Sequence, residues 1–265
     1  MNALGFVGFG KMAYAIAKGV VNSSYLNNDK IFAYDINKEF LDIKTKELKI
    51  NSCHDIKELM NKSDAILIAT KPFVVNEVIN EIAPYADNKL IISILAGIPI
   101  KRYEDSLVNS RIIRVMPNTP AMVNEGMSVI CRGSKAQDSD TDFVYKMFLN
   151  LGKAICLDET LINAVTAVSG SGPAFYYYII DKIAQAGEYL GLPKDVSLEL
   201  SAQTALGAAK MIMETKTAPN DLIKAVTTPN GTTAEGNKVL IESDIEKVLF
   251  ETVNKTCQRA IELGK

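Results

Sequence analysis

Three short segments of this chain carry residue types and spacings suited to chemistry. The first, Gly8-Phe9-Gly10-Lys11-Met12-Ala13, fits G-x-G-x-x-A and lies between an apolar run and a helical one. In that setting Gly8 permits a tight turn and Gly10 lets the backbone approach a pyrophosphate. Ala13 is small enough for the helix to lie against the strand. A glycine-rich turn that binds nothing fits the bare pattern equally well. Asp35 ends the next apolar run, 22 residues beyond Ala13, where a carboxylate accepts from ribose hydroxyls. With turn, helix and acid in register, the expectation is a dinucleotide site using Gly8, Gly10, Lys11, Met12 and Asp35.

Further segments end apolar runs and so fall on the edge where open α/β sheets bind ligands. They are Ala69-Thr70-Lys71-Pro72, Ser93-Ile94-Leu95-Ala96-Gly97 and Met116-Pro117-Asn118-Thr119-Pro120-Ala121. A solvated lysine and a ligand contact both fit Lys71, and a plain turn also asks for Gly97. Two prolines make the third a rigid loop carrying the Asn118 amide. Beyond residue 157, Ser169-Gly170-Ser171-Gly172-Pro173 reads as free N–H groups at a helix head, or as a cap alone. Thr227-Thr228-Pro229-Asn230-Gly231-Thr232-Thr233 runs from a turn into a helix. Its threonines suit capping. With the amides of Gly231 to Thr233 they also suit an anion nest for a small carboxylate.

Composition narrows the chemistry. The 265 residues include a single histidine, His54, so multi-histidine metal centres and imidazole catalysis are not expected. Cys53, Cys131, Cys156 and Cys257 are widely spaced and read as buried free thiols, with no metal site. A net charge of −2 offers no field for nucleic acid, and no apolar stretch is long enough for a membrane. No cationic leader precedes the first apolar run, and a cytoplasmic protein is expected.

The elements that must position these residues follow from periodicity. Strands are expected at 4–9, 30–34, 65–69, 90–95 and 111–116, with helices at 11–21, 38–48, 56–60 and 74–82 between them. Such alternation gives a Rossmann-like, doubly wound parallel sheet. After about residue 157 only helices are expected, at 172–190, 194–215, 219–226, 233–241 and 245–263. The fold class is therefore α/β, with a dinucleotide-binding domain at 1–157 and an all-α domain at 158–265. Helix 194–215 carries two seams, one led by Leu198 and Ala202 and one by Leu200 and Thr204. These exceed what one small domain covers.

Taken together, the segments resemble the pyrroline-5-carboxylate reductase family across nearly the whole chain. The resemblance rests on GFVGFGKMA at 5–13, ATKP at 69–72, AG at 96–97, RVMPNTPAMVNEG at 114–126, AVTAVSGSGPAF at 164–175 and VTTPNGTTAEG at 226–236. It implies hydride transfer from NAD(P)H to the C=N carbon of an imino acid, giving proline. An imine that enters already protonated leaves little acid–base work, which suits a chain with one histidine. By the same resemblance, Thr228, Gly231, Thr232 and Thr233 hold the substrate, with the Thr233 hydroxyl near the ring nitrogen. Glu159 matches a family acid near the substrate, and Thr233 and Glu159 are the catalytic residues the resemblance implies. Ala69, Thr70, Lys71, Pro72, Ala96, Gly97 and Asn118 complete the cofactor side, with Lys71, Pro72, Ala96 and Gly97 backing the nicotinamide and its ribose. A homodimer or higher oligomer is implied as well.

Two departures stand out. Asn230 replaces a usual glycine, and asparagine tolerates positive φ. Asp35 stands where many members have Ser or Asn; its charge opposes a 2′-phosphate, so NADH is expected to serve at least as well as NADPH. The 3-hydroxyacid dehydrogenases share the plan, but they place a lysine where Tyr176 follows Gly170-Ser171-Gly172. A non-catalytic dinucleotide sensor would not need the polar 227–233 loop.

Overall fold

Eight strands pair into one sheet in the computed structural model, which describes residues 1–264. They are β1 (Leu4–Val7), β2 (Ile31–Tyr34), β3 (Asn51–Ser52), β4 (Ala65–Ile68), β5 (Leu90–Ser93), β6 (Arg111–Met116), β7 (Gly126–Arg132) and β8 (Gly152–Cys156). Their spatial order is β3-β2-β1-β4-β5-β6-β7-β8. The chain winds outward from β1 to β3, returns beside β1 as β4, and then winds the other way. The reversal lies between β1 and β4, where the carboxyl ends of open sheets form a ligand crevice.

Helices α1 (Lys11–Asn22), α2 (Lys38–Leu48), α3 (Ile56–Lys62), α4 (Val75–Ile82), α5 (Ile100–Glu104) and α6 (Asp138–Leu149) belong with the sheet. Strand residues alternate between two buried clusters. Phe6, Leu67, Ile92 and Val115 pack with Ile16, Val20 and Phe148. Val7, Ile66, Ile91 and Ile112 pack with Leu59, Met60 and Ile79. Runs such as A-I-L-I at 65–68 are apolar throughout because both faces are covered. Each fully buried aliphatic side chain there contributes roughly 1.5–3 kcal/mol.

Three expectations need correction here. β1 stops at Val7 because Gly8 turns at φ +84. The sheet is not wholly parallel, since β6 and β7 run antiparallel. Only residues 117–125 join them, fewer than the dozen or so a parallel crossover needs. Nor is the head of the helix at Gly172 free. A π-helical turn (Thr166–Gly170) feeds it directly, and the Ser171 N–H donates to Thr166 O at 2.8 Å.

The remaining helices are α7 (Ile162–Val165), α8 (Gly172–Tyr189), α9 (Lys194–Thr215), α10 (Pro219–Val226), α11 (Thr232–Glu242) and α12 (Ile245–Leu263). Two compact units result. Gly172–Lys255 forms one, while Met1–Ser171 and the segment from Thr256 onward form the other. In the helical unit α8 and α9 make a hairpin at Gly191, where φ is +100. Their contact is polar and close. Ser197 Oγ donates to Ala184 O at 2.7 Å and Ser201 Oγ to Ile180 O at 2.9 Å. The seam facing α8 is therefore the serine one, and Leu198 and Leu200 stay exposed within the chain. No helix among the described residues is long and apolar enough to cross a membrane.

Candidate active site

The glycine turn after β1 is built around two conformational demands. At φ +84, a Cβ on Gly8 would lie 2.9 Å from the Thr70 amide nitrogen, so only glycine fits between β1 and β4. Gly10 is different: nothing lies within 4 Å of where its Cβ would stand. That open space adjoins the N-terminus of α1, which has no side-chain cap. The amides of Lys11, Met12 and Ala13 find no acceptor among the described residues, as an anion site requires.

Gly8, Gly10, Lys11, Met12, Asp35, Ala69, Thr70 and Lys71 line one cavity of about 880 Å³, within the size range of small-molecule sites. Asp35 is fixed there by two backbone donors. Phe9 N–H reaches its Oδ2 at 2.6 Å and Asn37 N–H its Oδ1 at 2.8 Å. The nearest basic residue on the next helix, Lys38, is turned elsewhere. Its ammonium lies 4.1 Å from the Tyr34 ring centroid and donates to His54 O at 2.7 Å. Thr70 Oγ1 is buried and has no hydrogen-bond partner among the described residues. An unsatisfied hydroxyl in a cavity wall is costly unless a ligand completes it. Open space at Gly10, free helix amides and the orphan hydroxyl of Thr70 all fit a dinucleotide.

Four expected cofactor residues do not line this cavity. Pro72, Ala96, Gly97 and Asn118 follow β4, β5 and β6 along the same edge of the sheet. Asn118 is already occupied: its Nδ2 donates to Ser169 O and Oγ at 3.3 Å, and Met127 N–H donates to its Oδ1 at 2.9 Å. These bonds brace the loop, and Asn118 stays half-buried.

Glu159 also has structural duties. Its Oε1 accepts from Arg114 Nη1 and from the Ile100 N–H, both at 2.8 Å. The Arg114 side chain is 4% exposed and that of Glu159 28%, so the pair is largely desolvated. Nearby, Ser93 Oγ and Tyr103 Oη lie 2.7 Å apart, and burial pushes the Tyr103 phenol up to about 12. Arg114 was not assigned a role from the sequence. The signal was there, since a charge inside R-I-I-R-V-M requires a buried partner.

In the helical unit, the 227–233 loop makes a tight turn into α11. Asn230 takes φ +59, so the expected positive φ is present. A Cβ on Gly231 would lie 2.4 Å from Thr228 Oγ1, which explains the glycine. The Gly231 N–H is spent on Thr228 O at 3.0 Å, so it does not join the expected nest. Thr232 and Thr233 amides have no acceptor among the described residues. Gly231 is the N-cap and no side chain caps α11. Thr233, in the first turn, has a hydroxyl with no partner among the described residues. It is not a cap.

His54 is a surface residue, its side chain 92% exposed. Cys53 and Cys131 are buried as expected. Cys156, at the end of β8, is exposed and Cys257 is half-buried, where burial was expected.

Comparisons with known proteins bear directly on this geometry. A family model described as pyrroline-5-carboxylate reductase dimerisation matches residues 159–263. Another, described as NADP oxidoreductase coenzyme F420-dependent, matches residues 3–97. The pyrroline-5-carboxylate reductase of Methanosarcina acetivorans is 37% identical over 99% of this chain and 98% of its own length. That of Arabidopsis thaliana is 36% identical over 99% and 95%. Among solved structures, Plasmodium falciparum pyrroline carboxylate reductase with NADP bound superposes with a TM-score of 0.90. It is 30% identical and covers 99% of this chain and 98% of its own. A 3-hydroxyisobutyrate dehydrogenase of Mycobacterium tuberculosis shares the fold alone, at 13% identity, a TM-score of 0.52 and 73% and 67% coverage. The chain belongs to the pyrroline-5-carboxylate reductase family, the NAD(P)H-dependent enzymes that reduce 1-pyrroline-5-carboxylate to proline.

Proposed function

We propose that this chain reduces 1-pyrroline-5-carboxylate to proline and uses NADH at least as well as NADPH. The observation that carries the cofactor choice is the Asp35 carboxylate, held at the cavity wall by Phe9 and Asn37 amides. A ribose there offers two hydroxyls for Asp35 to accept from. A 2′-phosphate there would face a fixed negative charge, with Lys38 engaged elsewhere.

When bound, NAD(P)H supplies the hydride. The chain's own part is to hold and orient. Gly8, Gly10 and the amides of Lys11 and Met12 take the pyrophosphate, and the Thr70 hydroxyl gains its missing partner. Ala69, Lys71, Pro72, Ala96 and Gly97 back the nicotinamide and its ribose. Thr232 and Thr233 amides hold the imino-acid carboxylate, and the Thr233 oxygen accepts from the protonated ring nitrogen. Thr228 and Gly231 shape that turn. Glu159, expected among the catalytic residues, is assigned to positioning, because its inner oxygen is committed to Arg114 and Ile100.

The helical unit exposes large apolar residues, among them Ile241 at 82% and Phe250 at 73%. Together with the match to a dimerisation model, this supports a homodimer that covers them. Four free cysteines suit a reducing compartment such as the cytoplasm.

Steady-state oxidation of NADH and NADPH with five- and six-membered imino acids tests the reading, with a 3-hydroxyacid as control. Turnover of the hydroxyacid with none of either imine would overturn it.

A further inference from the structure

The turn between β5 and α5 is pinned at both ends and backed in the middle. At its start, Leu95 N–H donates to Ser93 Oγ at 3.3 Å. At its end, Ile100 N–H donates to Glu159. Gly97, between them, takes φ +79 and has no hydrogen bond among the described residues. What backs it is the end of α12, more than 160 residues away in sequence. A Cβ on Gly97 would lie 3.0 Å from both the Cβ and the carbonyl oxygen of Leu263. From the other side, a Cβ on Gly264 would lie 2.9 Å from the Gly97 carbonyl oxygen. Two glycines thus meet with no room for a side chain on either. One helical turn earlier Ala260 is buried, so α12 arrives at this contact already seated.

We propose that the last turn of α12, through Leu263 and Gly264, is a positioning element for the nicotinamide end of the cofactor. The proposal rests on the reading that Ala96 and Gly97 back the nicotinamide and its ribose. A residue at positive φ with no hydrogen bond of its own keeps one conformation only if packing holds it there. The Leu263–Gly264 backbone supplies that packing. The adenine half of the cofactor lies with Gly8, Gly10 and Asp35, none of which α12 touches at this contact. Loosening the contact is therefore expected to weaken one half of the ligand and spare the other.

The test compares NADH with ADP, which lacks both the nicotinamide and its ribose. NADH and ADP are titrated calorimetrically into the wild-type chain, Gly264→Ala and a chain ending at Glu262. Melting temperature is followed in parallel. Removing residues 263–265 is expected to raise the Kd for NADH about tenfold and leave that for ADP within about twofold. Gly264→Ala, which forces the Gly97 carbonyl to move, is expected to show a smaller loss of the same selectivity. Equal weakening of both ligands in the truncated chain, or no weakening of NADH, overturns the proposal. Failure of the wild-type chain to bind either ligand would bring down the cofactor reading itself, and the proposal with it.

Discussion

Asp35 and Phe9 are 26 residues apart and joined by a 2.6 Å hydrogen bond from the Phe9 amide to the Asp35 carboxylate. The bond ties the end of β2 to the glycine turn, so the acid proposed to read the ribose also shapes that turn. Asp35→Ser removes the charge and lengthens that link. We expect the NADPH-to-NADH ratio of kcat/KM to rise about 10- to 100-fold, below the ~4 kcal/mol Coulomb bound because solvent screens the site. An unchanged ratio in the variant would remove Asp35 from cofactor choice.

Thr233→Val keeps the shape of the first turn of α11 and deletes the hydroxyl. If that oxygen bonds the ring nitrogen in the transition state, kcat/KM for the imino acid falls roughly 5- to 150-fold, for 1–3 kcal/mol lost. The melting temperature should hold, because Thr233 caps nothing. NADH affinity should hold too. A fall in melting temperature with normal kcat/KM would refute the assignment.

Glu159→Gln leaves Arg114 as a buried cation without its carboxylate. The expected cost is roughly 3 kcal/mol, at the low end for a buried pair because Glu159 keeps some solvent. Chemical denaturation measures it, and Arg114→Met should rescue much of the loss in the double variant. As a positioning residue, Glu159 should leave the shape of the kcat–pH profile unaltered. A titration that vanishes from that profile in Glu159→Gln would restore it as a catalytic acid.

Burial raises the Cys53 and Cys131 thiols to about 11, above a free thiol. Both are neutral in the native state through neutral pH, so their contribution to stability is intact there. Between about pH 9 and 11 the unfolded chain ionises them and the folded chain does not, and stability falls as pH rises. Melting curves from pH 7 to 11 should show this decline, blunted in a Cys53→Ala, Cys131→Ala variant. A thiol reagent at pH 8 should label exposed Cys156 first. Labelling of Cys131 ahead of Cys156 in the native protein would contradict both statements.

A homodimer should appear in light scattering as at least twice the 28.9 kDa chain at micromolar concentration. Ile241→Lys and Phe250→Glu place charges on the exposed apolar surface and should shift the population toward monomer. A monodisperse wild-type monomer would leave those side chains unexplained.

Local pattern determined much of this protein. Helices α9, α10 and α12 begin and end where periodicity, Pro193, Pro219 and the loop residues between them place their limits. The glycine turn, Asp35 and the positive φ of Asn230 were legible as well. Such features depend on the backbone freedom of single residues and on neighbours within one helical turn. The antiparallel return at β7 was not read, because strand direction is set by where a chain of given connection length can pair. The contacts left unread join separate segments of the chain. Asn118 meets Ser169 and Met127, Glu159 meets Arg114 and Ile100, and Gly97 rests on Leu263 and Gly264. No spacing in the sequence encodes those contacts. Only folding brings the groups together, and a side chain free in the sequence can find its hydrogen bonds already taken.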